Sequence, residues 1–172
     1  KTLVRFCISA VIAALYAAVS LALAPLSFGP IQIRIAEAMT LLPILFPEAI
    51  ASVTLGCFLT NLIGAILGVN LLGFFDVFAG TLATFLAAML TWRCRKLCVK
   101  GVPLVSALMP VLFNAVIIGA ELAYVPYPTA LLTGFVINAL EVGFGELVAC
   151  FILGLPLVKA LDKAQLAIRF GL

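Results

Sequence analysis

The chain has 172 residues, 66% of them hydrophobic and only 10% charged, with a mean hydropathy of +1.34. A soluble domain of this length needs far more surface charge. The net charge of +3 comes from basic residues grouped beside apolar runs, which does not describe a nucleic-acid binder. The runs are continuous and rich in Ala and Leu, whereas the strands of a membrane barrel alternate apolar with polar residues. The composition is that of an all-α protein lying in a lipid bilayer, a multi-pass protein of the cell membrane with one domain over residues 1–172.

In chain order, hydropathy and helix breakers predict a bundle of six transmembrane helices. The first runs from Val4 to Pro25. It follows Lys1 and Arg5, but it is long for a secretory signal and is read as a retained helix. The second, Ile35 to Phe46, is short, ends at Pro47 and holds Pro43. It cannot cross a full bilayer as a straight α-helix, so it is expected to be tilted and kinked or shielded by its neighbours. The third covers Glu48 to Leu67 and the fourth Phe75 to Trp92. After the basic stretch "RCRKLCVKG" comes the fifth, Val102 to Tyr124. The sixth, Ala130 to Leu155, follows "VPYPT", and Pro156 opens an amphipathic tail.

Six crossings put both termini on one side, together with Lys1, Arg5, Arg93, Arg95, Lys96, Lys100, Lys159, Lys163 and Arg169, nine of the ten basic residues. The excess of Lys and Arg makes that side the cytoplasm, so the N and C termini are expected there. Arg34 is the exception, on the outer face. Glu48 and Asp162 fall at the cytoplasmic edge as solvated groups.

An ionisable side chain at membrane depth is costly unless paired or hydrated, and each is a functional candidate. Glu37 and Asp76 begin helices at the outer face, and Glu121 lies one turn from the outer end of the fifth helix. Asn114 and Glu121, seven residues apart, share a face of that helix; Asn138 and Glu141, three apart, share a face of the sixth. At 1.5 Å per residue, Asn114 and Glu141 lie roughly 15 Å below the outer surface and Asn61 roughly 10 Å. A small-molecule site is therefore expected in the outer half, among Arg34, Glu37, Asn61, Asp76, Asn114, Glu121, Asn138 and Glu141, with Phe74, Phe75, Phe113, Tyr124, Tyr127 and Phe135 around it. One cation against the four carboxylates leaves −3, which favours a neutral or cationic ligand rich in donors. Competing expectations are that the asparagines only join helices, that Glu37 or Asp76 caps a helix, and that Arg34 pairs with Glu37 at the interface. Glu146 points roughly 140° away from Glu141 on a helical projection and is left outside the pocket.

Ala10, Ala14 and Ala18 recur every four residues along the first helix, with Ala13 and Ala17 in a neighbouring row. Small residues at this spacing let two membrane helices approach closely, so these alanines are expected either to dock a partner or to pack internally. No phosphate-binding loop, histidine or Ser-centred nucleophile elbow is present in the sequence, so no catalytic residue, metal or cofactor is assigned and no intrinsic ATPase is expected. The five cysteines are read as small buried hydrophobes. A channel would need a polar line through the whole bilayer, and the inner halves of the middle helices are apolar.

The stretch "QIRIAEAMTLLPILFPEAIASVTLGCFLTNLIG", followed by "DVFAGTLATFLAAMLT", resembles the QueT family of queuosine-precursor transporters, and six short spans with a small-residue seam resemble the substrate-binding S component of an energy-coupling factor (ECF) transporter. The resemblance covers nearly the whole chain and is strongest from Gln32 to Thr91. It implies that the first helix docks on a transmembrane T component carried by two ABC-type ATPases. It also implies a deazaguanine substrate, such as the aminomethyl or cyano precursor of queuosine, or queuine. Glu141 or Glu121 is then expected to read the guanine-like edge, with Asn114 and Asn138 completing the contacts and Arg34 and Glu37 shaping a lid. An S component for another vitamin is the alternative.

Overall fold

The computed structural model of the protein describes residues 2–28, 32–70, 72–124 and 131–165. Helix α1 covers Thr2–Ala22 and the single turn α2 covers Ala24–Ser27. A 3₁₀-helix, Ile35–Ile44, precedes α3 (Ala49–Ile66), α4 (Phe74–Arg93), α5 (Leu104–Tyr124) and α6 (Leu131–Leu147). A π-helical stretch, Val148–Gly154, joins α6 to α7 (Leu155–Lys163). Among the described residues the sole non-helical pairing is a bridge between Val99 and Val102 in the α4–α5 turn.

Five helical stretches are long and apolar enough to cross a membrane: Leu3–Ala22, Ala49–Ile66, Phe74–Arg93, Leu104–Tyr124 and Leu131–Lys163. These agree closely with the five long runs expected from hydropathy, because the breakers act where they stand. Gly68 and Gly73 adopt φ of 69° and 60°, which turns the chain between α3 and α4 at no steric cost. Two ends differ from expectation. The first helix breaks at Leu23, before Pro25 and not at it. The last runs straight through Pro156, which sits in the first turn of α7, where a missing N–H costs little. The wide π turns lie immediately before that proline, which cannot donate the next α-helical bond.

The long helices form an arc in which α1 packs on α3, α3 on α4, α4 on α5 and α5 on α6, while the 3₁₀-helix fills the concave side and touches α1, α3, α4, α5, the π stretch and α7. A 3₁₀-helix has three residues per turn, so side chains three apart stack in rows. Met39 and Leu42 pack with Ile12, Tyr16 and Val53 of α1 and α3. Leu41 and Ile44 pack with Ala107, Cys150 and Val158 from α5, the π stretch and α7. The remaining row, Arg34, Glu37 and Thr40, is polar and equally buried. The segment is thus shielded on every side, one of the two arrangements expected for it.

The same segment joins the two ends of the bundle. Arg34 pairs with Asp76 at the start of α4, and Glu48 pairs with Arg5 at the start of α1, N–O 2.9 Å. At roughly 2.0 Å per residue, the ten residues of the 3₁₀-helix advance about 20 Å, against about 15 Å for an α-helix. Glu48, expected to be merely solvated, is held by that ion pair. Arg5, Arg93, Arg95, Lys96, Lys100, Lys159 and Lys163 all fall at the end where α1 starts, α4 finishes and α5 starts. Lys1 and Arg169 lie outside the described residues.

Candidate functional site

From the middle of the bundle toward the opposite end, side chains from every layer meet in a buried polar cluster. Its centre is Glu37, only 1% exposed. The Tyr16 hydroxyl of α1 donates to Glu37 Oε1, Thr84 of α4 donates to the same oxygen at 3.3 Å, and Thr40, one 3₁₀ turn along, donates to Oε2 at 2.6 Å. Glu37 is therefore fully engaged by hydroxyls, and Arg34 does not pair with it. The Arg34 guanidinium lies 3.6 Å from Asp76 Oδ2, donates to Cys57 Sγ at 3.6 Å, and stacks 5.3 Å above the Phe28 ring. Cys57 also accepts from Thr84 at 3.2 Å and from Asn61 at 3.5 Å. A buried thiol, read from sequence as filler, is the hub that joins α3 to α4 and to the 3₁₀-helix.

Asp76 and Asn61 form the second part. Asn70 Nδ2 donates to Asp76 Oδ2 at 2.8 Å, and Asn61 Nδ2 donates to the main-chain oxygen of Asp76 at 2.8 Å. Asp76 caps no helix: the N-cap of α4 is Gly73, without a side-chain bond. The two groups converge over Gly80, where a Cβ would collide with Asp76 Oδ1 and Asn61 Nδ2. Glycine keeps that space for the carboxylate and the amide.

Polar atoms that are buried and hydrogen-bonded to nothing in the protein are uncommon and call for explanation. At this end they are the hydroxyls of Ser20 and Ser27, and, from the helices that follow, Asn61 Oδ1, Asp76 Oδ1, Asn114 Nδ2 and both carboxylate oxygens of Glu121. The amide and carboxylate atoms come from α3, α4 and α5, and Glu121 lies close enough to Asp76 and Arg34 to feel both charges. Besides the two serine hydroxyls, four acceptors and one amide donor thus stand without partners at the end that holds Arg34.

Of the eight expected pocket residues, Arg34, Glu37, Asn61 and Asp76 are in direct contact with one another or with shared partners, and Asn114 and Glu121 supply unpaired atoms beside them. Asn138 and Glu141 are half-buried on α6, on the stripe that continues to Gly145, where the helix touches the main chain of Gln32. Neither is among the side chains that bond within the cluster. Glu146 is the reverse case. It is 5% exposed, accepts from Cys150 at 3.8 Å, and lies beside Asn114 and within reach of Glu37, so it belongs to the floor of the cluster from which it was excluded.

The aromatic ring expected around the pocket is also corrected. Phe74, Phe75 and Tyr124 are 60%, 66% and 66% exposed and face away from the interior, while Phe28 and Tyr16 are the rings that touch the cluster. Phe113 and Phe135 are part-buried, and Tyr127 lies outside the described residues. On α1 the two alanine rows separate. Ala13 and Ala17 are buried at 2% and 7% on the side of Tyr16, so they are internal packing, whereas Ala10, Ala14 and Ala18 face outward.

A protein-family model described as QueT transporter matches residues 6–163, nearly the whole chain. No curated protein and no solved structure is detectably similar to it.

Proposed function

The chain belongs to the QueT transporter family of multi-pass membrane proteins, and from that premise we propose that it is the substrate-binding subunit of an ECF-type importer, taking a queuosine precursor of the deazaguanine class. The observation that carries the reading is the set of unpaired buried atoms. A guanine-like edge offers two adjacent N–H donors and a neighbouring carbonyl, and a single carboxylate accepts such a donor pair in bidentate fashion. Glu121, with both oxygens buried and free of partners, suits that edge best. The Asn114 amide suits the carbonyl, and Glu37, saturated by Tyr16, Thr40 and Thr84, orients the site without touching the ligand. Asn138 and Glu141 form the rim through which the base enters. In this reading six segments cross the bilayer, the 3₁₀-helix among them. The end holding Arg34 faces outside and the basic end, with both termini, faces the cytoplasm.

Calorimetric titration of the detergent-purified chain with deazaguanines tests the substrate assignment. Binding is expected. Tight binding of another vitamin together with no response to any deazaguanine would reassign the substrate.

Energy must come from partners, a T component and two ABC ATPases, and the outward row Ala10, Ala14 and Ala18 is the face proposed to meet the T component. Ala14→Trp is expected to abolish uptake by the assembled transporter while leaving ligand affinity of the isolated chain unchanged. Uptake at the wild-type rate would remove α1 from the docking surface.

A further inference from the structure

We infer that the turn between α4 and α5 is a docking site for acidic phospholipid headgroups, held by Arg93, Lys96 and Lys100 while Leu97, Val99 and Val102 enter the headgroup layer. The inference is independent of the substrate and uses only the membrane character of the chain.

The turn is short and ordered. The Arg95 guanidinium stacks 4.3 Å above the Trp92 ring and donates to the Trp92 main-chain oxygen at 2.8 Å. Farther along, Val99 and Val102 exchange main-chain hydrogen bonds of 2.9 and 3.0 Å across Lys100 and Gly101, whose φ values are 51° and 78°. Positive φ at both central residues is the pattern of a type I′ turn, and it is uncommon for a lysine. The side chains of the turn do not pack inward. Leu97, Val99 and Val102 are 56%, 50% and 39% exposed and join none of the buried apolar clusters.

Its charge is equally one-sided. Every charged residue between Asp76 and Glu121 is basic, and all four, Arg93, Arg95, Lys96 and Lys100, fall in this turn. Among the described residues no carboxylate pairs with any of them. Orientation in the membrane requires only that lysines and arginines be present. It gives no reason to hold them on an ordered turn with apolar side chains between them. Location selects the partner. Both α4 and α5 are long and apolar enough to cross a bilayer, so the turn that joins them lies at a headgroup layer. An acidic lipid places its phosphate there for the cations, above acyl chains that receive the leucine and the valines. The ring of Trp92 suits the same depth. An acidic protein surface would match the charges but not the three apolar side chains.

Trp92 is the one tryptophan of the chain, so its fluorescence reports from this turn alone. The test places the full chain in nanodiscs of phosphatidylcholine and phosphatidylglycerol in fixed proportion, with quenching bromine on the acyl chains of one lipid or the other. Phosphatidylglycerol is expected to associate with the turn at least about 5-fold more strongly, the scale of one Lys or Arg at an anionic surface. The preference is expected to shrink in high salt. Arg93→Gln, Lys96→Gln and Lys100→Gln combined are expected to bring the ratio close to one. Brominated phosphatidylcholine should still quench that variant, and its elution from size exclusion should match the wild type, as evidence that it is folded and inserted. Equal association of the two lipids in the wild type would overturn the proposal and leave the cations to an acidic protein partner. A preference that the triple variant keeps would overturn it too. So would a preference removed by inorganic phosphate but not by chloride at the same ionic strength, which would give the cations to a soluble anion.

Discussion

Glu121→Gln is expected to weaken deazaguanine binding by at least about 30-fold, close to 2 kcal/mol at 1.4 kcal/mol per decade. Both oxygens of Glu121 are buried and accept from nothing in the protein. A ligand that presents two adjacent donors gains a pair of charge-assisted hydrogen bonds there, each worth about 1.5–3 kcal/mol. Glutamine keeps the volume but turns one acceptor into a donor that faces the ligand's own donor. The half-buried Glu141 stands a few residues along α6 without a bond to the cluster, so Glu141→Gln is expected to have a smaller effect. Calorimetry on the two variants side by side decides between them. If Glu141→Gln costs the larger factor, the edge is read by α6 and not by α5.

The second large effect expected is on stability. Glu37→Ala removes the acceptor of three hydroxyls, Tyr16, Thr40 and Thr84, which come from α1, the 3₁₀-helix and α4. All three are fully buried. Tyr16 and Thr40 would each be left unsatisfied at about 1–3 kcal/mol, Thr84 keeps only the weaker thiol acceptor of Cys57, and the lost side chain adds a cavity. A total of at least about 4 kcal/mol corresponds to a fall of about 10 °C or more in Tm for a chain of this size. Glu37→Gln keeps one oxygen for Tyr16 and Thr84, and the Thr40 hydroxyl can turn to accept from the new amide, so the loss is expected to be much smaller. Thermal unfolding in detergent, followed by size-exclusion chromatography, measures both. Wild-type stability in Glu37→Ala would mean that the hydroxyls find other partners and that Glu37 does not organise the site.

Much of the fold was legible because bilayer thickness and chain breakers act locally. The long spans can be read from apolar run length, and the turn after α3 from Gly68 and Gly73. The buried polar cluster was legible only where formal charge or an amide marked a residue. Arg34, Glu37, Asn61 and Asp76 stood out against apolar surroundings. Tyr16, Thr40, Cys57 and Thr84 did not, since hydroxyls and thiols are ordinary in membrane helices and nothing local tells which ones meet. One signal was available: Arg34, Glu37 and Thr40 recur every three residues, the period of a 3₁₀ row. Glu146 was missed for a geometric reason. Its direction was measured from Glu141, taken as the centre of the pocket face, whereas the buried face of α6 is Val142, Gly143, Gly145 and Glu146. Arg34 was paired with Glu37 by sequence proximity, but its charge partner is Asp76, 42 positions along the chain.

The central 3₁₀-helix also bears on how the chain enters the membrane during synthesis. Its ten residues are too few for insertion machinery to accept as an independent span, and they are flanked by one charge and interrupted by another, Arg34 and Glu37. At the centre of a spanning helix such residues cost the translocon step about 2.5–3.5 kcal/mol each. The partners that offset this cost, Tyr16, Cys57, Asp76 and Thr84, lie on α1, α3 and α4, two of which have not yet been made when the segment leaves the ribosome. The segment therefore settles only after α4 has been inserted. Lateral release of helices and their assembly, often treated as successive stages, are here a single event.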